Sequence, residues 1–212
     1  MIFLETQGPY TGKDAWRKNE AWQYDPMQVA NQGDFALDTI RTGKENTDLL
    51  STQTLPNRLA GVKHTSFKNG SPNYSDYGRR KETEKMTPEL SIETGVIWLF
   101  RKAISKVDVV SVPKGEQIFS YTVKKGDNGY SKIINNIKTT VTELEIQNGK
   151  NKVIHENDVL KYREASIERR ISSWKSWSQT IQAYNSKDGY YERVNTYYQK
   201  LTKGAPCFGV KK

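Results

Sequence analysis

Between Tyr121 and Tyr162 the chain carries a pattern that closes on itself. "YTV" at 121–123 is a short β-prone run, and "GDNG" at 126–129 is a turn. Ile133, Ile134 and Ile137 then give a short helical face. Thr140 and Glu143 form a T-x-x-E box, which opens a second helix through Val141 and Leu144. The turn at Asn148-Gly149-Lys150 stops that helix, and "DVLKY" at 158–162 supplies a closing strand. A complete strand-helix-helix-strand unit in mid-chain constrains everything around it. The two flanks must each fold alone or be parts of one domain that the unit interrupts.

The flanks read as mainly helical. Thr87 is placed as an N-cap, Pro88 at the first helical position and Glu89 at the positive helix end, ahead of a helix with Ile92, Val96, Leu99 and Ala103 on one face. After the unit, Ser166 is the expected cap of a helix in which Ile167, Ile171, Trp174, Ile181 and Tyr184 recur at helical spacing. Tyr190, Val194, Tyr197 and Leu201 stripe a last helix. Neither flank carries a full core, so the expectation is an α+β chain: one discontinuous, mainly α-helical domain from 1–106 and 166–212, interrupted by a small βααβ domain with its linkers over 107–165.

Composition narrows the function. Hydrophobic residues make up 35% of 212 and mean hydropathy is −0.80, so the core is lean, while five Trp and twelve Tyr offer large areas to bury or to stack on flat ligands. The longest apolar run, "VIWLF" at 96–100, is far short of the roughly 18–20 residues that span a bilayer, so no membrane span is expected. "MIFL" lacks the length and basic flank of a signal peptide, and none is visible. Cys207 is the single cysteine, which excludes an intrachain disulfide and a Cys-rich zinc site. His64 and His155 lack HExxH spacing and read as surface residues, so neither a metal nor a cofactor is expected. The net charge of +9 is concentrated at the end, where residues 166–212 hold nine basic and three acidic side chains. That balance suits an anionic polymer. No basic block with interleaved aromatics points to nucleic acid, and none is expected as a partner.

"YTVKKGD" (121–127), "SKI" (131–133), "TTVTELEIQNG" (139–149) and "VIHENDVLKY" (153–162) together resemble a LysM domain, a module that binds glycans containing N-acetylglucosamine. The resemblance implies a sugar groove at Gly126, Asp127, Asn128, Asn148 and Ile154. "DNGYS" at 127–131 is one residue longer than the family's loop, and "HEND" at 155–158 replaces its usual turn.

The flanks supply a second set of motifs: Glu5 in "FLETQG", Met27 and Gln28 in "DPMQVANQGD", "TGVIWLF" at 94–100, and Ala183-Tyr184-Asn185 followed by "YYERVNTYYQKL". In this order they resemble the goose-type lysozyme and lytic transglycosylase family, in which the catalytic Glu ends a helix. Only four residues precede Glu5 here. The resemblance implies cleavage of the bond between N-acetylmuramic acid and N-acetylglucosamine in peptidoglycan, with Glu5 as general acid and base. Gln28, Met27, Tyr184 and Asn185 would then lie along the groove. Such an acid needs a carboxyl whose pKa is raised by burial. Trp16, Trp22 and Tyr24 are candidates for stacking on sugar faces, and Met27 equally reads as core. Asp25 and Asp34 are the candidates for a second carboxylate, and both also read as turn and cap residues. The turn-rich stretch 61–86 is expected to form a mobile rim.

By association, such enzymes act in the periplasm, at the cell wall or after secretion into a target cell, where a secretion system and an immunity protein would be partners besides the glycan strands. The alternative is a cell-wall-binding or assembly protein with a degenerate lysozyme fold and no catalysis.

Overall fold

Pro, Gly and Asn punctuate residues 25–86, and short elements follow from that. A computed structural model describes residues 20–50 and 54–203. Its elements run α1 (Glu20–Tyr24), α2 (Ala36–Arg41), a 3-10 turn (Thr47–Leu49), α3 (Leu55–Leu59), β1 (Phe67–Lys68), β2 (Ser71–Pro72), α4 (Tyr74–Gly78) and a second 3-10 turn (Glu82–Glu84). Longer elements come next: α5 (Pro88–Ala103), β3 (Ile104–Thr122), α6 (Tyr130–Ile133), α7 (Val141–Asn148), β4 (Val159–Trp174), α8 (Trp177–Tyr184) and α9 (Tyr190–Thr202). β1 and β2 form an antiparallel hairpin with Phe67 opposite Pro72, and β3 pairs with β4 in a two-stranded ribbon. Helix and strand are thus mixed, consistent with an α+β chain. No described helix is long and apolar enough to cross a membrane.

Contacts divide the chain into one unit drawn from residues 1–105 and 173–212 and a second unit spanning residues 106–172. In chain order the second interrupts the first. The core of the first unit is built around α5, with Met27, Val29, Leu37, Ile40, Leu59 and Tyr77 among its buried side chains. Thr87 caps α5 as expected, its side chain accepting from Leu90 N at 3.2 Å.

The face that α5 buries is the expected one only in part: Ala103 is buried and Leu99 half-buried. Ile92 and Val96 remain 39% and 41% exposed, while Ser91, Thr94, Gly95 and Trp98 go inside. The reason is steric and polar: the segment that packs there approaches closely and brings a carboxylate, so small and hydroxylated residues serve better than branched ones. Thr94 satisfies its own hydroxyl by donating to Leu90 O at 2.6 Å.

Ser166 does not start a helix. β4 runs on to Trp174, and α8 opens only at Ser176, whose side chain accepts from Gln179 N while the Gln179 side chain accepts from Ser176 N, a full capping box. Pairing with β3 overrides the local period, because β3 itself reaches from Ile104 to Thr122 rather than beginning at Tyr121. Residues 61–86 are mostly exposed or half-buried, yet part of the stretch packs into the core. Tyr74, Tyr77 and Met86 are buried, Met86 N donates to Tyr77 Oη at 2.6 Å, and Tyr24 packs edge-on to Tyr77.

In the second unit Val123, Tyr130, Ile133, Leu144 and Leu160 form a separate core, with Ile134, Ile137, Val141 and Ile154 packed around it. Thr140 caps α7 through Glu143 N at 3.1 Å. The Glu143 side chain does not complete the box. It is buried, and its Oε1 accepts from Arg163 Nε at 2.7 Å and Gln147 Nε2 at 3.0 Å. Gly149 ends α7 at φ 98°, where a side chain would be strained. Leu144 is fully buried in this small core, so Leu144→Ala is expected to cost about 2–5 kcal/mol. Amide exchange would rise first within residues 121–162; equal loss of protection in α2 and α5 would contradict a separate core.

Candidate binding cleft

The cleft begins with a turn. Asp25 leaves α1, Gln28 N donates back to Asp25 O at 2.9 Å, and Gln28 sits at φ 52°. A residue other than glycine holds this left-handed conformation only when its surroundings enforce it. They do so through Asp25, whose Oδ1 accepts from Val29 N at 3.1 Å and whose Oδ2 accepts from Ala30 N at 2.8 Å. Ser91 Oγ on α5 donates to Asp25 Oδ1 at 2.6 Å and accepts from Met27 N at 3.0 Å. The turn is thereby bolted to α5 by a buried polar network.

Met27 then drops onto Gly95. A methyl group on Gly95 would come within 2.6–2.8 Å of three Met27 side-chain atoms, so the contact requires glycine. Residues beyond the turn are held by the neighbouring stretch: Thr65 N donates to Ala30 O at 2.7 Å and Gln32 N to Thr65 O at 2.8 Å. His64, expected to be a plain surface residue, is part of this support. Its Nε2 lies 3.0 Å from Asp38 Oδ2 and its Nδ1 lies 3.2 Å from Asn31 O.

From the other end of the chain, α8 delivers Tyr184, whose hydroxyl donates to Met27 O at 3.4 Å. Its ring stacks on Tyr190 of α9. The result is a polar cleft of about 250 Å³ lined by Met27, Gln28, Val29, Asp34, Trp98, Tyr184, Asn185 and Ser186. Burial pushes the Asp34 carboxyl above its usual range, opposed by Ala36 N, which donates to its Oδ1 at 2.7 Å, and by the charges of Lys102 and His64.

Of the residues singled out from sequence, Met27, Gln28, Asp34, Tyr184 and Asn185 converge on this cleft. Asp25 lies beneath it, fully buried, and serves the turn. Tyr24 belongs instead to an aromatic cluster with Tyr74 and Tyr77. Glu5 and Trp16 lie outside the described residues, as does the side chain of Trp22. Trp98 was not singled out, although it stands inside the "TGVIWLF" stretch and is followed at helical spacing by Arg101 and Lys102, which both lie over its ring.

In the second unit, Asp127 Oδ2 accepts from Lys124 N at 2.9 Å and from Tyr121 Oη at 2.8 Å, and these two bonds hold its carboxyl below the usual range. Asn148 joins α7 to β4: its Oδ1 accepts from Lys161 N at 2.8 Å and its Nδ2 donates to Lys161 O at 2.7 Å. Gly126 has φ 95°, Asn128 is exposed and Ile154 is half-buried against the core. Among the described residues no group of three His, Cys, Asp or Glu side chains stands close enough to hold a metal ion. No protein-family model, characterised protein or solved structure matches the chain.

Two outcomes follow from the turn. Burial pushes the Asp25 carboxyl from 3.8 to about 6 against the pull of its three donors. Folding therefore takes up a proton between those values, and the contribution of Asp25 to stability is greatest below pH 3.8 and is lost as pH rises through about 6. Denaturant unfolding of wild type and Asp25→Asn from pH 4 to 7 should show wild type losing about 2 kcal/mol relative to the variant. A constant difference would contradict the shifted carboxyl. Gly95→Ala should cost about 1–3 kcal/mol by overpacking and should shift the amide resonances of Met27 and Gln28 in heteronuclear NMR. Unchanged resonances would mean that Met27 moves aside freely.

Proposed function

We propose that the chain acts on peptidoglycan glycan strands: the first unit as a lysozyme-like domain that cleaves the bond between N-acetylmuramic acid and N-acetylglucosamine, the second as a LysM-type module that holds the same polymer. The observation that carries this reading is the convergence of Met27, Gln28, Asp34, Tyr184 and Asn185, which are far apart in sequence, on one polar cleft. Amide, hydroxyl and carboxyl groups on a short cleft beside a Trp are the donors and acceptors that a pyranose ring uses. The strand-helix-helix-strand order of the second unit, with exposed turns at Gly126–Asn128 and after Asn148, supports the targeting role. A second contact on one polymer raises the effective concentration of the cleft on it.

Glu5 is the proposed acid and base, on the motif resemblance. Asp34 is the better candidate for a second carboxylate, because it borders the cleft while Asp25 is fully buried and its carboxylate accepts from Val29 N, Ala30 N and Ser91 Oγ. Purified sacculi should release muropeptides with wild type, and Glu5→Gln should reduce the rate roughly 100-fold or more. Mass spectrometry of the products separates anhydro ends from hydrated ones, and Asp34→Asn should matter only for the hydrated outcome. Sacculi that bind the protein but release nothing would leave the non-catalytic wall-binding reading.

A further inference from the structure

The cleft is flanked, at Trp98, by positive charge that the glycan reading does not use. Trp98, one of its walls, is 7% exposed, and two cations from the last turn of α5 lie over its ring: Lys102 Nζ at 4.3 Å from the centroid and Arg101 Cζ at 5.5 Å. Their situations differ. Arg101 is committed, its Nη2 to the Glu45 carboxylate and its Nε to Glu45 O at 3.2 Å. The Lys102 ammonium, by contrast, has neither a carboxylate nor a hydrogen-bond acceptor paired with it among the described residues. It is half-buried, and burial followed by the charge of Arg101 holds it below the usual lysine range. Lys175 adds further positive charge, since its Nζ donates to Lys102 O at 2.9 Å. The acidic groups that act on Lys102 are Glu45, already paired with Arg101, and Asp34, which borders the cleft and accepts from Ala36 N. A half-buried cation without an acceptor is unfavourable until an anion arrives, and a partly desolvated site makes that pairing count.

We propose that Lys102, braced on Trp98, is an anion subsite of the cleft that selects ligands carrying a carboxylate beside a sugar-sized polar body. This inference rests on the glycan reading for the body of the ligand and on the Lys102–Trp98 corner for its charge. N-acetylmuramic acid and N-acetylglucosamine make the test direct, because they differ only by the lactyl group with its carboxylate.

The experiment titrates the 212-residue chain with each sugar and with acetate. It follows the Trp98 indole N–H by nitrogen-15 NMR, assigned with Trp98→Phe, in wild type, Lys102→Met and Lys102→Arg. At low salt, N-acetylmuramate should bind roughly tenfold more tightly than N-acetylglucosamine, with the preference lost in Lys102→Met, retained in Lys102→Arg and reduced by added salt. Equal affinities in wild type, or a preference that survives Lys102→Met in a variant with unchanged thermal stability, would overturn the proposal. If neither sugar shifts Trp98 while acetate does so only when Lys102 is present, the anion subsite stands and the glycan reading fails. If acetate also leaves Trp98 unmoved, the subsite itself is refuted.

Discussion

A carboxylate shut away from water must find its hydrogen-bond donors in the protein, and Asp25 finds three: two backbone amides of its own turn and the hydroxyl of Ser91 on α5. Leaving such a group unsatisfied costs several times what a surface contact contributes. The turn and the helix are therefore held as one piece. Gln28 tolerates a left-handed backbone because Asp25 holds the next two amides, and Met27 reaches Gly95 because its own amide is anchored on Ser91.

The cleft inherits its geometry from that anchor. Its floor is the turn, its walls are Trp98 of α5 and Tyr184 of α8, and Tyr184 touches the floor directly through Met27 O. Asp34, just before α2, borders it, and Lys102 lies over the Trp98 wall at the end of α5, where the helix dipole also favours a cation. The second unit makes its own core and needs no residue of the first to bury Leu144, Ile133 or Leu160. Its polar turn residues are mostly spent on holding the turns, as Asp127 and Asn148 do.

Sequence reasoning was strongest where the governing interaction is local. Thr87, Thr140 and Gly149 mark helix ends through groups no more than four residues away, and each stands where its chemistry predicts. Reasoning from period failed where a distant strand or helix decided the outcome. Ser166 has every attribute of a cap, yet β3 takes the following residues into a ribbon. On α5 the apolar stripe through Ile92 and Val96 suggested the buried face, but a helix buries whatever fits its neighbour.

By itself, then, the sequence determined the turns, the caps, the self-closing unit between Tyr121 and Tyr162 and the identity of most polar groups that line the cleft, because these depend on short-range hydrogen bonds and side-chain chemistry. Only the tertiary structure decided that Asp25 is a buried bolt while Asp34 borders the cleft, that Gly95 exists to admit Met27, and that Lys102 lies over Trp98, a wall of that cleft. Those distinctions are matters of burial and of partners tens of residues away, which no local pattern encodes.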